Sequence, residues 1–257
     1  MLKTTLRCVC VLAALMGGNL AHGQIAARLG HSYPAEHPQG AAMMKFADLI
    51  DAYTNKRVKV TVHHSAALGG DDKMVTAVQT GTQELYIGGI SVMAGRVKEV
   101  QVFDLPFLFR NKSEVDFVLN GPVGSKLLGI ISDTGVEAMA WSETGFRHLT
   151  NSRRPVRKAE DIKGLKIRVL QNPVALETWK VLGANPTPMS FSEVFTAMEI
   201  KAIDGQENPL QTIFTNKFYE VQKYATLTGH GYSPVTILAS KKFMSSLTPD
   251  DQKAVKR

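Results

Sequence analysis

Short runs of β-branched and aliphatic residues alternate along this chain with segments whose apolar residues recur at helical spacing, and that alternation constrains the fold more than any other feature. An apolar run at 26–29 stops at Gly30, His31, Ser32, Tyr33 and Pro34, after which Met43, Met44, Phe46, Ala47, Leu49 and Ile50 follow a helical period. Val58, Val60 and Val62 alternate with Lys59 and Thr61, the pattern of a strand with two unlike faces. Leu68, Gly69 and Gly70 then turn into an amphipathic segment at 71–80. The cycle repeats with a strand at 85–88, helices at 113–119 and 123–131, and a strand at 136–141. Strands separated by crossover helices run parallel, so the chain is expected to be α/β, built from strand-helix-strand units.

From residue 145 the character shifts. Basic residues crowd the stretch from Arg147 to Arg168, with strand patterns at 146–149 and 166–170 and helical patterns at 174–182, 192–198 and 210–215. Ser190 with Glu193 three residues on predicts a capping box. A second α/β lobe beginning near 145 is the economical reading. The last strands are expected at 221–227 and 235–239, the latter returning to the first lobe. Thr248, Pro249, Asp250 and Asp251 signal a helix start, yet the sequence stops at Arg257, barely two turns later, which predicts a frayed stub or a truncated sequence.

Residues 1–23 read as a secretory leader: Lys3 and Arg7 are a positive start, 8–16 is an apolar stretch too short to span a bilayer, and Ala21 and Gly23 offer a cleavage site. Both cysteines, Cys8 and Cys10, fall inside it. The exported chain would therefore lack cysteine, which suits a bacterial periplasm and a fold that relies on its core instead of disulfides. The formal charge of +7 drops to +5 once Lys3 and Arg7 are removed, a balance that permits an anionic partner without naming one.

Several chemistries find no support. Ser91 lacks the second glycine of a hydrolase elbow, and no cysteine remains as a nucleophile, so no catalytic residue is assigned. His63 and His64 are adjacent on an expected strand and point to opposite faces, so no metal site is assigned. Gly229, His230 and Gly231 lack the third glycine of a dinucleotide fingerprint and read as a turn, and no cofactor is implied. Arg153, Arg154, Arg157 and Lys158 form a basic run without interleaved aromatics, which reads as a solvated face and predicts no nucleic-acid partner.

Arg147 and Arg168 differ in kind, because each sits in an apolar strand where an unpaired charge costs several kcal/mol. Each needs an anion. Asp161 or Glu177 could supply it as a structural ion pair, or a ligand carboxylate could be gripped by two parallel hydrogen bonds. The polar stretch 204–209 reads on its own as a turn capped by Asp204 and Asn208.

Taken together, certain residues resemble a known family. They are Leu165 to Val169 after Asp161 and Gly164; Gly183 to Met189; Phe191 to Val194; Asp204 to Pro209; Lys217 to Val221; and, earlier, Leu68, Gly69 and Asp104 to Phe109. The pattern, spread over 25–257, is similar to the solute-binding proteins of tripartite ATP-independent periplasmic (TRAP) transporters, the DctP-like family. The resemblance implies a two-lobed periplasmic fold with a ligand cleft between the lobes, joined by strands and a long helix. Lobe I would take 24–144 and 234–257, and lobe II 145–233. It implies a binder of a small organic acid, a hydroxy or sugar acid or a dicarboxylate, that delivers its ligand to the membrane subunits of the transporter and is not an enzyme.

Carried over residue by residue, the resemblance makes Arg168 the carboxylate clamp, Arg147 and Asn208 its supports, and Phe191 an aromatic packing on the ligand. It makes Glu207 a direct or supporting polar contact, Asp71 the partner of the ligand's hydroxyl end, and His31 a residue at pocket depth. Gly88 and Gly89 stand where the sialic-acid branch carries a carboxylate-bearing residue, which favours a smaller acid. The family also continues for several helices beyond the position of Arg257. The alternatives are a sensor or accessory binding subunit on the same fold and, more remotely, an enzyme on the two-lobe scaffold.

Overall fold

The computed structural model describes residues 23–257, so the leader and both cysteines lie outside the described residues apart from Gly23. One sheet of eight strands runs through the molecule in the order β2-β1-β3-β8-β4-β7-β5-β6. Its first half holds β1 (Ile25–Gly30), β2 (Val58–His63) and β3 (Leu85–Gly89); its second half holds β5 (Lys166–Val169), β6 (Asn185–Pro188) and β7 (Gly205–Pro209). Within each half these strands run parallel, β1 with β2 and β3, and β5 with β6 and β7, as crossover helices require.

Helices α1 (Pro38–Tyr53) and α2 (Asp71–Thr80) make the first crossovers. α1 begins where the His37 ring accepts the N–H of Gln39 and Pro38 fills the first turn. α2 begins after Gly70 with Asp71 and Asp72 in its positive first turn, the acidic start that the helix dipole favours. Two apolar clusters cover the two faces of the first half, one around Met74, Tyr86, Ile90 and Phe103 and the other around Leu29, Ile50, Val58 and Ile87. The second half has its own clusters around Ile167 and Trp179, and around Val194 and Phe218.

The sheet is mixed, because β4 (Val136–Asn151) and β8 (Tyr224–Ser240) run antiparallel to each other and link the halves. The sequence pattern predicts each as two separate strands. Register shifts between Ala138 and Ala140, Glu143 and Gly145, and Arg147 and Leu149 break the two-residue alternation, so a continuous strand reads as fragments. Gly145 at φ +104° and Gly229 at φ +55° supply conformations that residues with a Cβ rarely adopt.

Two local expectations are corrected. The stretch Gly205–Pro209 is a buried strand and not a turn, because its polar side chains find partners on β4 and β8 that no local pattern reveals. The capping box at Ser190 and Glu193 is not formed: the Ser190 hydroxyl faces that of Ser192 at 3.1 Å instead. The short last helix Pro249–Lys256 is capped by Thr248 and held to the residue before β2 and to β4 through Arg57–Asp251 and Lys256–Glu137 contacts. No counterpart of the long joining helix occurs among the described residues, whose longest helix is α1. None of their helices is long and apolar enough to cross a membrane.

Candidate functional site

A cleft of about 240 Å³ opens between the halves, walled by Ser32 and Tyr33 after β1, Gly89 and Ser91 at the end of β3, Leu170 and Gln171 after β5, Ser190 and Phe191 after β6, and Asn208 on β7. These are the carboxyl ends of the parallel strands, where α/β sheets place their ligands. Thr144 and Arg147 on β4, and Ser233 and Pro234 on β8, close its floor.

Of the two arginines marked by sequence, Arg147 has a protein anion. Its Nε and Nη2 bind the two carboxylate oxygens of Glu207, Nη2 also binds the Glu207 carbonyl at 2.6 Å, and Nη1 donates to Ser233 Oγ at 2.6 Å. Burial pushes the Glu207 carboxyl up, but the Arg147 charge and hydrogen bonds from His230 and Arg147 override it and hold it at about 2. Glu207 therefore stands behind the cleft wall, shared between Arg147 and, at 3.1 Å, the Nε2 of His230.

Arg168 has no carboxylate partner among the described residues. It is 3% exposed, and its Nε and Nη2 both donate to the carbonyl of Met189, at 3.0 and 2.8 Å, while Nη1 is buried without a partner. Asp161 and Glu177, the candidate ion-pair residues, are engaged elsewhere: Asp161 accepts the backbone N–H of Arg157 and Lys158, and Glu177 faces Lys180. Burial pushes Arg168 down to about 10, with Glu207 raising it and Arg147 lowering it. Its carbonyl-bound edge fixes the guanidinium plane and leaves the outer edge, Nη1 with the second hydrogen of Nη2, for an anion.

The remaining sequence-marked residues divide in the same way. Asn208 lines the cleft, donating to Gln206 Oε1 at 2.5 Å and accepting weakly from Arg147 at 3.4 Å. Phe191 lines it too, its ring 6.4 Å from that of Tyr33 and 6.0 Å from Phe218. Asp71, at the start of α2, lines the opposite wall and accepts from Ser32 at 2.7 Å and Tyr86 at 3.0 Å. His31 is set behind the wall: its Nδ1 accepts the Tyr33 N–H and its Nε2 meets His64 Nδ1 at 3.1 Å. Burial first, then the nearby His64 and His37, lower His31 to about 4.

Sequence reasoning missed Tyr33, Ser32, Thr144, Gln171 and Ser233 as cleft residues. They are single polar residues in loops or at bulges, and the available signal was their place just past a strand end. Charge in the cleft is polarised. The neighbouring Asp72 is paired with Arg96 at 2.7 Å, whereas Asp71 takes part in no salt bridge among the described residues. The cleft thus sets an unmatched guanidinium against an unmatched carboxylate.

Known proteins share this plan. A family model described as bacterial extracellular solute-binding protein, family 7 (DctP), matches residues 29–257. A solute-binding protein of Verminephrobacter eiseniae is 44% identical over 91% of this chain and 70% of its own length. The crystal structure of the sugar acid binding protein DctPAm from Advenella mimigardefordensis, in complex with galactonate, superposes with a TM-score of 0.89 at 42% identity, covering 91% of this chain and 76% of that one. A TRAP periplasmic solute-binding protein from Polaromonas, bound to D-erythronate, does so at 0.88 and 38% identity, over 91% and 77%. With the match spanning nearly all described residues, the chain belongs to the DctP family of bacterial extracellular solute-binding proteins, family 7, the solute-binding proteins of TRAP transporters.

Proposed function

We propose that this protein captures a small organic acid in the periplasm, by closing its two lobes on a carboxylate held by Arg168, and hands it to the membrane subunits of a TRAP transporter. The lobes are 24–144 with 234–257, and 145–233. The observation that carries this reading is the buried Nη1 of Arg168, which has no hydrogen-bond partner among the described residues and belongs to a side chain of the cleft wall. A ligand carboxylate supplies the missing anion in a site from which closure excludes water, where a two-pronged guanidinium bond is strongest. Arg147, neutralised by Glu207, acts as a rigid support and neutral-pair donor, with Asn208 beside it. Phe191 and Tyr33 enclose the carbon chain, Asp71 takes hydroxyls, and His31 holds the Tyr33 backbone from behind. The protein binds its ligand without transforming it.

A thermal-shift screen tests this, on protein stripped of co-purified ligand by unfolding and refolding. The panel is sugar acids, hydroxy acids, C4 dicarboxylates, amino acids and neutral sugars. A ligand at about 1,000 times its Kd adds roughly 4 kcal/mol to stability, and a chain of this size gains about 2 to 4 °C per kcal/mol. Shifts are expected with carboxylates. Hits confined to neutral sugars or amino acids would overturn the reading.

A further inference from the structure

Of the cleft carboxylates, Asp71 forms no salt bridge among the described residues, and two neighbours hold it. Ser32 Oγ and Tyr86 Oη, at 2.7 and 3.0 Å, both point at the same oxygen, Oδ1. No other residue among those described donates to Oδ2, so the two protein donors fix the carboxylate plane and leave Oδ2 as an acceptor at the cleft wall. Ser32 also lines the cleft, whereas Tyr86 does not: it lies within β3, 1% exposed, as part of the apolar core.

The Tyr86 hydroxyl reaches Asp71 only because of the glycine two residues on. Side chains at i and i+2 share one face of a strand, and the Tyr86 ring lies flat along that face over position 88. A Cβ built on Gly88 would stand 1.8 Å from the Tyr86 hydroxyl and 2.4 Å from its Cζ. Any side chain there must expel the phenol from its bond with Asp71. Gly89, by contrast, has nothing within 4 Å of its Cβ position and lines the cleft, so it leaves room for a ligand. The two glycines do different things: Gly89 makes space, and Gly88 admits a tyrosine.

We infer that Gly88, Tyr86 and Ser32 form a positioning set that holds Asp71 as a fixed hydrogen-bond acceptor, and that this set makes the cleft select hydroxylated monocarboxylates over dicarboxylates. The inference rests on the organic-acid reading and narrows it. Burial pushes the Asp71 carboxyl up, while the Ser32 and Tyr86 hydrogen bonds and the Arg168 charge oppose that shift. In its ionised form it only accepts, so it rewards a ligand hydroxyl, which donates, and rejects a second ligand carboxylate, which has no proton to donate and carries like charge. A loosely held aspartate could swing aside and tolerate either. Held through Oδ1 by two donors, it cannot turn away without leaving both unpaired.

D-erythronate and succinate are the probes, four-carbon acids that differ in exchanging hydroxyls for a second carboxylate. Calorimetry on the full chain is expected to give at least tenfold tighter binding of erythronate. Tyr86→Phe keeps the ring and removes one donor; Gly88→Ala displaces the same hydroxyl by steric means; Ser32→Ala removes the second donor. Each is expected to weaken erythronate several-fold and leave succinate unchanged or improved, so that the ratio collapses, with the circular dichroism of Tyr86→Phe matching the parent. A purely structural Tyr86 would weaken both acids equally, and that result overturns the inference, as does a ratio untouched by Tyr86→Phe or a parent that prefers succinate. A parent that binds neither acid, nor any carboxylate of the wider panel, overturns the organic-acid reading itself and this inference with it.

Discussion

Both carboxylate oxygens of Glu207 are taken by Arg147, although the strand that carries Glu207 lies between those of Arg147 and Arg168. One anion thus serves one of two buried cations, and the other is left facing the cleft with a donor unsatisfied. A buried ion pair contributes little net stability when intact, and a great deal is lost when half of it is removed. Arg147 and Arg168 should therefore respond to substitution in opposite ways.

For Arg168, Lys in its place keeps a positive charge and loses the planar fork. Arg168→Lys is expected to cost about 2 kcal/mol or more of carboxylate binding, read by calorimetry. Arg168→Met should abolish binding yet leave the ligand-free protein more stable, by about 1 to 3 kcal/mol in urea unfolding, because an uncompensated buried charge has gone. A less stable Arg168→Met protein would show that the arginine is structural.

For Glu207, the neutral isostere strands Arg147. Glu207→Gln is expected to destabilise the fold by about 3 to 5 kcal/mol in the same assay. A loss below about 1 kcal/mol would mean that Ser233 and the Glu207 carbonyl suffice for Arg147.

The unpaired arginine of the cleft was legible in the sequence, and its surroundings were not. Arg168 stands alone between Ile167 and Val169 in a buried strand, a local conflict between charge and pattern that is visible without a structure. Glu207 sits on the strand next to that of Arg147 in the sheet but 60 residues away in the chain, and no spacing rule joins them. The parallel strands of the first half were legible because β-branched alternation and helical periods follow each other cleanly. β4 and β8 appear in the sequence as fragments because irregularities at Gly145 and Gly229 reset the alternation. Tyr86 carries no local signal of its contact with the cleft, since its hydroxyl partner Asp71 lies on another element.

His37 provides a pH prediction. Its Nδ1 accepts the Gln39 N–H at 3.1 Å and its Nε2 meets Thr212 Oγ1, across the cleft, at 3.2 Å, which fixes the neutral ring with the proton on Nε2. Burial lowers it to about 4 from an ordinary 6.5. Between those values the unfolded chain binds the proton and the native ring does not, so its contribution is complete above pH 6.5 and is lost progressively as the pH falls toward 4. Asp104, pushed up to about 6 chiefly by burial, acts in the opposite sense, so the parent alone is a poor reporter. His37→Asn keeps a capping acceptor and removes the titration. The stability difference between parent and variant should shrink by about 1 to 2 kcal/mol from pH 7.5 to 4.5. A difference independent of pH would show that His37 titrates alike in the folded and unfolded chain.

Gly70 and Ser190 meet at the mouth of the cleft, one before α2 in the first half and the other after β6 in the second. The backbone at Gly70, φ −65° and ψ 164°, suits any residue, so conformational freedom does not explain glycine there. Space does: a Cβ would stand 2.9 Å from Ser190 Oγ, with the next atoms at 3.8 and 4.0 Å. Ser190 Oγ could rotate away only by giving up its 3.1 Å contact with Ser192. Gly70→Ala is therefore expected to oppose closure by about 1 kcal/mol, the cost of that hydrogen bond, and to weaken carboxylate binding by up to tenfold. Ser190→Ala removes the obstructing oxygen and leaves neighbours at ordinary contact distance. In the double variant the Gly70→Ala penalty should disappear, a coupling that calorimetry of the four proteins reads directly. Strict additivity of the two substitutions would mean that the halves do not approach each other through this contact when ligand binds.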